Sequence, residues 1–203
     1  MSAPPKTVLD VPAAEAEAIR HAVRTVDPAT LDGGRRLACP DDVEALVDLL
    51  SDPRVSAPIY DLPRPINADT VAAWVRRCEE ERARGETLLL VNRDAEGQIS
   101  GYSKITIWPD RSAAELAGAI RADRQSAGQG GAGAWRTIDW MFEALGVRLI
   151  CLTAAMDNIR SARLIEAMGF QRLGDRDAVA DDGTVRPSLY WEMSRDAWRG
   201  PGA

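Results

Sequence analysis

The period of the apolar positions changes several times along the chain, and each change marks an element. Between Pro12 and Pro28, the residues Ile19, Val23 and Val26 recur at helical spacing. This predicts one amphipathic helix opened by Asp10, Val11 and Pro12, since proline is tolerated in a first helical turn. Residues 35–39 read as a short strand, and Pro40, Asp41 and Asp42 as a capped start to a helix through Leu50. A loop with Pro53, Pro58, Pro63 and Pro65 follows. The stripe Val71, Trp74, Val75 and Cys78 then predicts a second helix over 68–84. From Thr87 the pattern becomes that of strands: 87–92 and 99–107 form a hairpin around Asp94 and Gly97, and 113–120 is a third strand. A glycine-rich segment opens a helix over 130–145. A buried strand over 149–154 and a helix over 158–168, closed by Gly169, come next. Residues 170–173 and 188–193 are the last strand pair.

This order predicts an α/β fold, α+β in its layers: a mixed, largely antiparallel sheet flanked by helices, with an N-terminal helical extension. The expected division is an extension over 1–34, one domain over 35–197 and a short tail over 198–203. The chain has 203 residues, of which 45% are hydrophobic and 28% charged, the composition of one soluble domain. No apolar run approaches the ~18 residues of a membrane span. The N-terminus lacks the basic-then-apolar pattern of a secretory signal, so the expected compartment is the cytoplasm. The 25 Lys and Arg against 31 Asp and Glu give a net charge of −6. That balance argues against nucleic-acid binding, which depends on clustered cations. Cys39, Cys78 and Cys151 are too far apart for a metal motif and read as free thiols, and His21 is the one histidine. His-rich zinc sites and most Ser-His-Asp arrangements therefore have almost no material. Carboxylates, hydroxyls and backbone amides remain.

Gly128, Gly130, Gly131 and Gly133 cluster at one helix start, flanked by Arg121, Arg124 and Arg136. Glycine in a helix costs about 1 kcal/mol relative to alanine, so the cluster calls for a compensating ligand on the backbone. A helix N-terminus suits phosphates. The segment spells G-x-G-x-x-G, the dinucleotide fingerprint, and a dinucleotide-dependent oxidoreductase is one reading of it. Residues 121–127, however, separate the glycines from the strand, and the upstream strands form an antiparallel run rather than a βαβ series.

Gln125, Gly128 and Gly130 also match Q/R-x-x-G-x-G/A, and here the sequence resembles the GNAT superfamily of coenzyme A-dependent N-acetyltransferases. The likeness extends to the strand 114–120, the helix end 139–146, and the segment from Asn158 through Ser161 to Gly169 and Phe170. It covers Arg36 to Met193 in order and is most similar to the Rim branch, the ribosomal-protein-alanine acetyltransferases. The resemblance implies acetyl-CoA as co-substrate and acetyl transfer to a primary amine, either a peptide N-terminus or a small molecule. Neither a metal nor a covalent enzyme intermediate is implied, and a homodimer is compatible with the reading.

By that resemblance Gln125, Ser126, Gly128, Gln129, Gly130 and Gly131 hold the pyrophosphate. The pantetheine arm follows the strand ending at Ile120, with the Ala119 or Ile120 amide near the thioester carbonyl, and Asn158 contacts the arm. Asn158 is equally a good helix N-cap. Strand alternation sets Glu115 with Ala117 and Ala119 on one face, opposite Leu116 and Ile120. Glu115 is the candidate general base, with room for a substrate beside its carboxylate. The family commonly has a tyrosine proton donor where this chain has Ile165, so Ser161, on the first turn of the same helix, is the candidate acid. Tyr60, Trp108 and Tyr190 are candidate acceptor contacts. The absent tyrosine keeps a non-catalytic acyl-CoA-binding module as an alternative.

Overall fold

The computed structural model describes residues 4–32, 34–94, 96–124, 129–179 and 183–200, with 129–131 described by their backbone. Seven strands form one sheet in the order β1-β2-β3-β4-β5-β7-β6. They are β1 (Arg35–Leu37), β2 (Thr87–Arg93), β3 (Ile99–Trp108), β4 (Ala113–Ile120), β5 (Leu149–Ala155), β6 (Gln171–Val179) and β7 (Val185–Ser194). Every neighbouring pair is antiparallel except β4 and β5. The helices are α1 (Ala13–Thr25), α2 (Val43–Ser51), α3 (Pro53–Ser56), α4 (Ala68–Arg84), α5 (Gln129–Ala144) and α6 (Ile159–Ala167).

Alternation along the strands divides the core in two. Leu88, Leu90, Ile105, Ile107, Ile150 and Leu152 face α1, α5 and α6. Leu89, Val91, Ile99 and Tyr102 face α2 and α4. The N-terminal helix belongs to the first of these cores, with Ile19 and Val23 buried in it. It also crosses the C-terminus of α4, where Gly85 has φ +81° and a Cβ would stand 2.7 Å from the Arg20 backbone. Glycine is therefore required there both by conformation and by space. At its other end α4 is capped reciprocally by Asn67 and Thr70.

The last hairpin is longer than its apolar pattern predicts. β6 runs from Gln171 to Val179 through Gly174, Asp175 and Asp177, residues that resemble a loop. It is the edge strand, so its polar side chains meet solvent while its backbone pairs with β7 alone. The Pro-rich loop after α2 also contains the short helix α3, started by Asp52, whose side chain accepts from the Arg54 amide.

One buried charge ties β1, β2 and the entry to α2 together. Asp42 is fully buried and accepts from Arg36 at 2.7 Å, from Arg93 at 2.7 Å and from the Cys39 amide at 3.0 Å. Burial alone raises its pKa, but the hydrogen bonds from Arg36 and Cys39 outweigh that and hold it below the ordinary aspartate value. A depressed carboxylate stabilises the fold above its unfolded pKa, and the contribution is lost as pH falls through the folded value. Asp42→Asn should cost about 2–3 kcal/mol at neutral pH, less than a fully enclosed pair because both arginines reach solvent. It should also flatten the fall of Tm between about pH 4 and pH 2. A wild-type acid limb in this variant would show that Asp42 does not carry it.

Candidate active site

β4 and β5 pair over three residues only: Ala113 with Leu149, Ala114 with Ile150, and Glu115 with Cys151. Above that register they part, and from Leu116 to Ala119 β4 has no partner on the β5 side among the described residues. β4 stays fully paired to β3 on its other edge, where Gly118 meets Ser103 and Ile120 meets Gly101. That approach is close. A Cβ on Gly118 would lie 2.5 Å from the Tyr102 carbonyl oxygen.

The separation opens a cavity of about 730 Å³ through the sheet. On one face it is walled by α5, through residues 132–134, 136 and 137, and by α6, through Ser161, Leu164, Ile165 and Met168. On the other it is walled by residues 58–61 of the Pro-rich segment and by Arg186. The N-terminal turn of α5 begins at Gln129. Gln125, Ser126 and Gly128 lie outside the described residues, and of Gln129, Gly130 and Gly131 the backbone alone is described. Ala119, Ile120 and Asn158 all line the cavity. Asn158 caps α6, its side-chain oxygen accepting from the Ser161 amide at 3.1 Å. Ser161 lines the cavity too, one turn from Ile165, which belongs to the hydrophobic core and also lines the cavity.

Glu115 stands at the fork where the strands separate. It is 5% exposed, and its Oε1 accepts from the Thr153 hydroxyl at 2.9 Å. The expectation of open space beside it changes in one respect. Glu115 lines a small pocket of about 10 Å³, with Tyr60, Thr153, Arg176 and Tyr190. Only Tyr60 and Thr153 are common to this pocket and the large cavity. The carboxylate therefore lies one side chain back from the cavity. The small pocket has the volume of a single water.

Tyr190 is buried and donates to Glu192 at 2.5 Å. The Arg176 guanidinium lies 5.1 Å from its ring centre, and Arg186 is placed similarly over Tyr60. Trp108 departs from expectation. It pairs with Ala113 at the far end of the β3–β4 hairpin, where β4 and β5 are still joined, and lines neither cavity. Thr153 and Glu192 are residues that sequence reasoning missed. The available signal was their polarity within otherwise apolar strands.

These features define the class. The family model described as an acetyltransferase (GNAT) domain matches residues 35–171, well over half of the chain, and the chain belongs to that family. It is thus an acyltransferase, and acetyl-CoA is its donor. The dinucleotide reading of the glycines ends here, because β4 sits between an antiparallel neighbour and a parallel one that immediately diverges. No curated protein matches the sequence. Solved structures share the fold at low identity. The ribosomal-protein-S5-alanine acetyltransferase of Vibrio fischeri is 19% identical with a TM-score of 0.67, over 81% of this chain and 94% of that one. The yncA protein of Salmonella typhimurium, solved with its cofactor acetyl-CoA, is 20% identical with a TM-score of 0.60, over 83% and 97%. An N-acetyltransferase of Staphylococcus aureus Mu50 is 18% identical with a TM-score of 0.61, over 79% and 96%. Among the described residues no helix is long and apolar enough to cross a membrane.

The contact at Gly118 gives a test of the geometry. Gly118→Ala should push β3 from β4, lowering stability by about 1–3 kcal/mol and weakening acetyl-CoA binding with it. Unchanged Tm and unchanged calorimetric affinity would show that β4 has slack.

Proposed function

We propose that the protein transfers the acetyl group of acetyl-CoA directly to a primary amine, in a ternary complex formed across the β4–β5 opening. The observation that carries this reading is the position of the fork: the sheet opens immediately above the buried carboxylate of Glu115. The pyrophosphate lies at residues 125–131, and the pantetheine arm runs past Asn158 along β4 to the amides of Ala119 and Ile120. The acceptor enters from the opposite face, beside Tyr60. The acceptor class is a peptide N-terminus or a small amine. The likeness to the Vibrio fischeri enzyme supports the former, as expected for a Rim-like member.

In this mechanism the ammonium of the acceptor loses a proton to Glu115, relayed by Thr153 or by one water in the small pocket. The neutral nitrogen attacks the thioester carbonyl, whose oxyanion is stabilised by the β4 amides. The C–S bond then breaks as the nitrogen gives up its remaining extra proton. That proton reaches the coenzyme A thiolate through the Ser161 hydroxyl or water, which donates one proton and takes up the other.

Acceptors are found by coenzyme A release with N-terminal peptides, amino sugars, polyamines and aminoglycosides. With the best of them, Glu115→Gln should lower kcat by about 10²–10³-fold, within the usual range for a general base. Acetyl-CoA affinity should stay the same, and raised pH should restore part of the rate, because free amine then arrives without help. Equal rates for mutant and wild type at all pH values remove Glu115 from the mechanism.

The acid should matter less, since a thiol titrates near pKa ~8.5 and its thiolate leaves readily. Ser161→Ala should cost no more than about 10²-fold, and Ile165→Tyr should recover the loss in the double variant. No loss in Ser161→Ala assigns the proton to water and leaves Ser161 a structural role. Tight acetyl-CoA binding with no thiol release from any acceptor is the outcome expected of a binding module, and it would displace the enzyme reading for this chain.

A further inference from the structure

The half of the sheet formed by β5, β7 and β6 has α5 and α6 on one face only. On the other face α2 and α4 stop short, and a buried polar row crosses the strands in register: Glu115 on β4, Cys151 on β5 and Glu192 on β7. Burying two carboxylates beside a thiol is costly unless donors are supplied. For Glu192 two of the three donors come from the opposite end of the chain. Its Oε1 accepts from the Lys6 amide at 2.7 Å, the Thr7 amide at 3.2 Å and the Tyr190 hydroxyl at 2.5 Å.

The segment bearing those amides is laid down as a strap. Pro5 is buried. Arg111 donates to the Pro5 and Thr7 carbonyls, and Arg148 to the Asp10 carbonyl. The Lys6 ammonium donates to the Leu173 and Asp175 carbonyls of β6. The strap thus grips β6, β7, the turn before β4 and the residue before β5, all from residues that precede the matched family domain.

We infer that this strap and Glu192 are positioning groups for the Glu115 pocket. The strap amides fix Glu192, Glu192 fixes the hydroxyl of Tyr190, and Tyr190 is a wall of the pocket that Glu115 shares with Thr153. The inference rests on the proposed role of Glu115 as base, and it gives the N-terminal extension a part in turnover.

The test uses the full chain. Lys6→Pro deletes the amide donor, whereas Lys6→Ala keeps it and removes only the ammonium. Glu192→Gln removes the charge. Two quantities are read: modification of Cys151 by a disulfide reagent, located by peptide mass, and turnover with the best amine of the acceptor panel. Losing a hydrogen bond to a charged group is worth about tenfold or more. Lys6→Pro and Glu192→Gln should therefore speed Cys151 modification and lower kcat by that factor, with acetyl-CoA affinity unchanged. Lys6→Ala, which loses the ammonium's contacts with β6 and the Tyr190 ring but keeps the amide donor, should lose less than Lys6→Pro on both measures. In a Glu115→Gln background, Glu192→Gln should cost little more, because both act through one group.

Wild-type modification and turnover in Lys6→Pro and Glu192→Gln would overturn the inference. So would equal losses from Glu192→Gln in both backgrounds, which is the behaviour of a merely structural residue. Wild-type turnover in Glu115→Gln alone removes the base, and the strap's target with it. That failure is distinct, because Cys151 modification in the strap variants is read without any acceptor.

Discussion

The structure depends on one interruption of hydrogen bonding. A sheet whose strands stayed paired throughout would be more stable but would have no passage through it, since each unpaired buried amide or carbonyl is a cost that must be met from elsewhere. Here the interruption is confined to the parallel β4–β5 pair, beyond Glu115 and Cys151. The two halves it separates are each held by antiparallel ladders, β1 to β4 on one side and β5, β7 and β6 on the other. α5, the crossover between the diverging strands, packs in the core beneath both halves, so the gap has rigid sides. A ligand with amide groups along its length, such as a pantetheine arm, supplies the partners that the sheet gives up.

The two faces of the opening differ in chemistry. The α5 and α6 face combines an apolar core, with Leu152, Ile165, Met168 and Trp191, and the polar side chains of Arg136, Thr137, Asn158 and Ser161, which line the cavity. The opposite face carries Glu115, Cys151, Thr153, Tyr190 and Glu192. Burial pushes the Cys151 thiol well up, and the Glu115 carboxylate adds to the shift, so this cysteine is a poor nucleophile and a covalent acyl-cysteine route has no support. Burial likewise raises the Tyr190 hydroxyl, which keeps its proton and serves as a donor to Glu192. Burial alone would raise Glu192 as well, but donation from Thr7, Tyr190 and Lys6 outweighs it and holds this carboxylate below its ordinary range. All of these donors converge on Oε1, while Oε2 is buried with no hydrogen-bond partner among the described residues.

Much of this was legible in the sequence because it follows from local rules. α4 runs from Asn67 to Gly85 with a cap at each end, and the alternation on β4 places Glu115 opposite Leu116, as the divided core requires. What was not legible depends on distance along the chain. Glu192 lies in a strand buried on both faces, and two of the three donors that make its burial tolerable are 185 and 186 residues away. The polar composition of β6 hides a strand because an edge needs no apolar face. Trp108 was misplaced for a related reason. Aromatic character is visible in a sequence, but which end of a hairpin lies at the opening is decided by where β5 leaves β4.

The loss of the family's tyrosine is easier to accommodate once α6 is seen in place. The helix starts at the cavity, with Asn158 capping it and Ser161 on its first turn. Its positive dipole end therefore faces the region where a thiolate would depart, and a helix N-terminus lowers a thiol pKa. In the proposed mechanism a thiolate stabilised by that field leaves without a strong acid, whereas the acceptor ammonium, near pKa ~8 for a peptide N-terminus and ~10 for an alkylamine, must lose its proton before the nitrogen can attack. On that mechanism the first proton transfer is a precondition of attack and the second only assists departure, and the arrangement of side chains fits that order. The departing side has a dipole and a small hydroxyl. On the attacking side of the proposed site stand a buried carboxylate and its threonine partner, and two strands across the sheet a second carboxylate is held by the N-terminal strap.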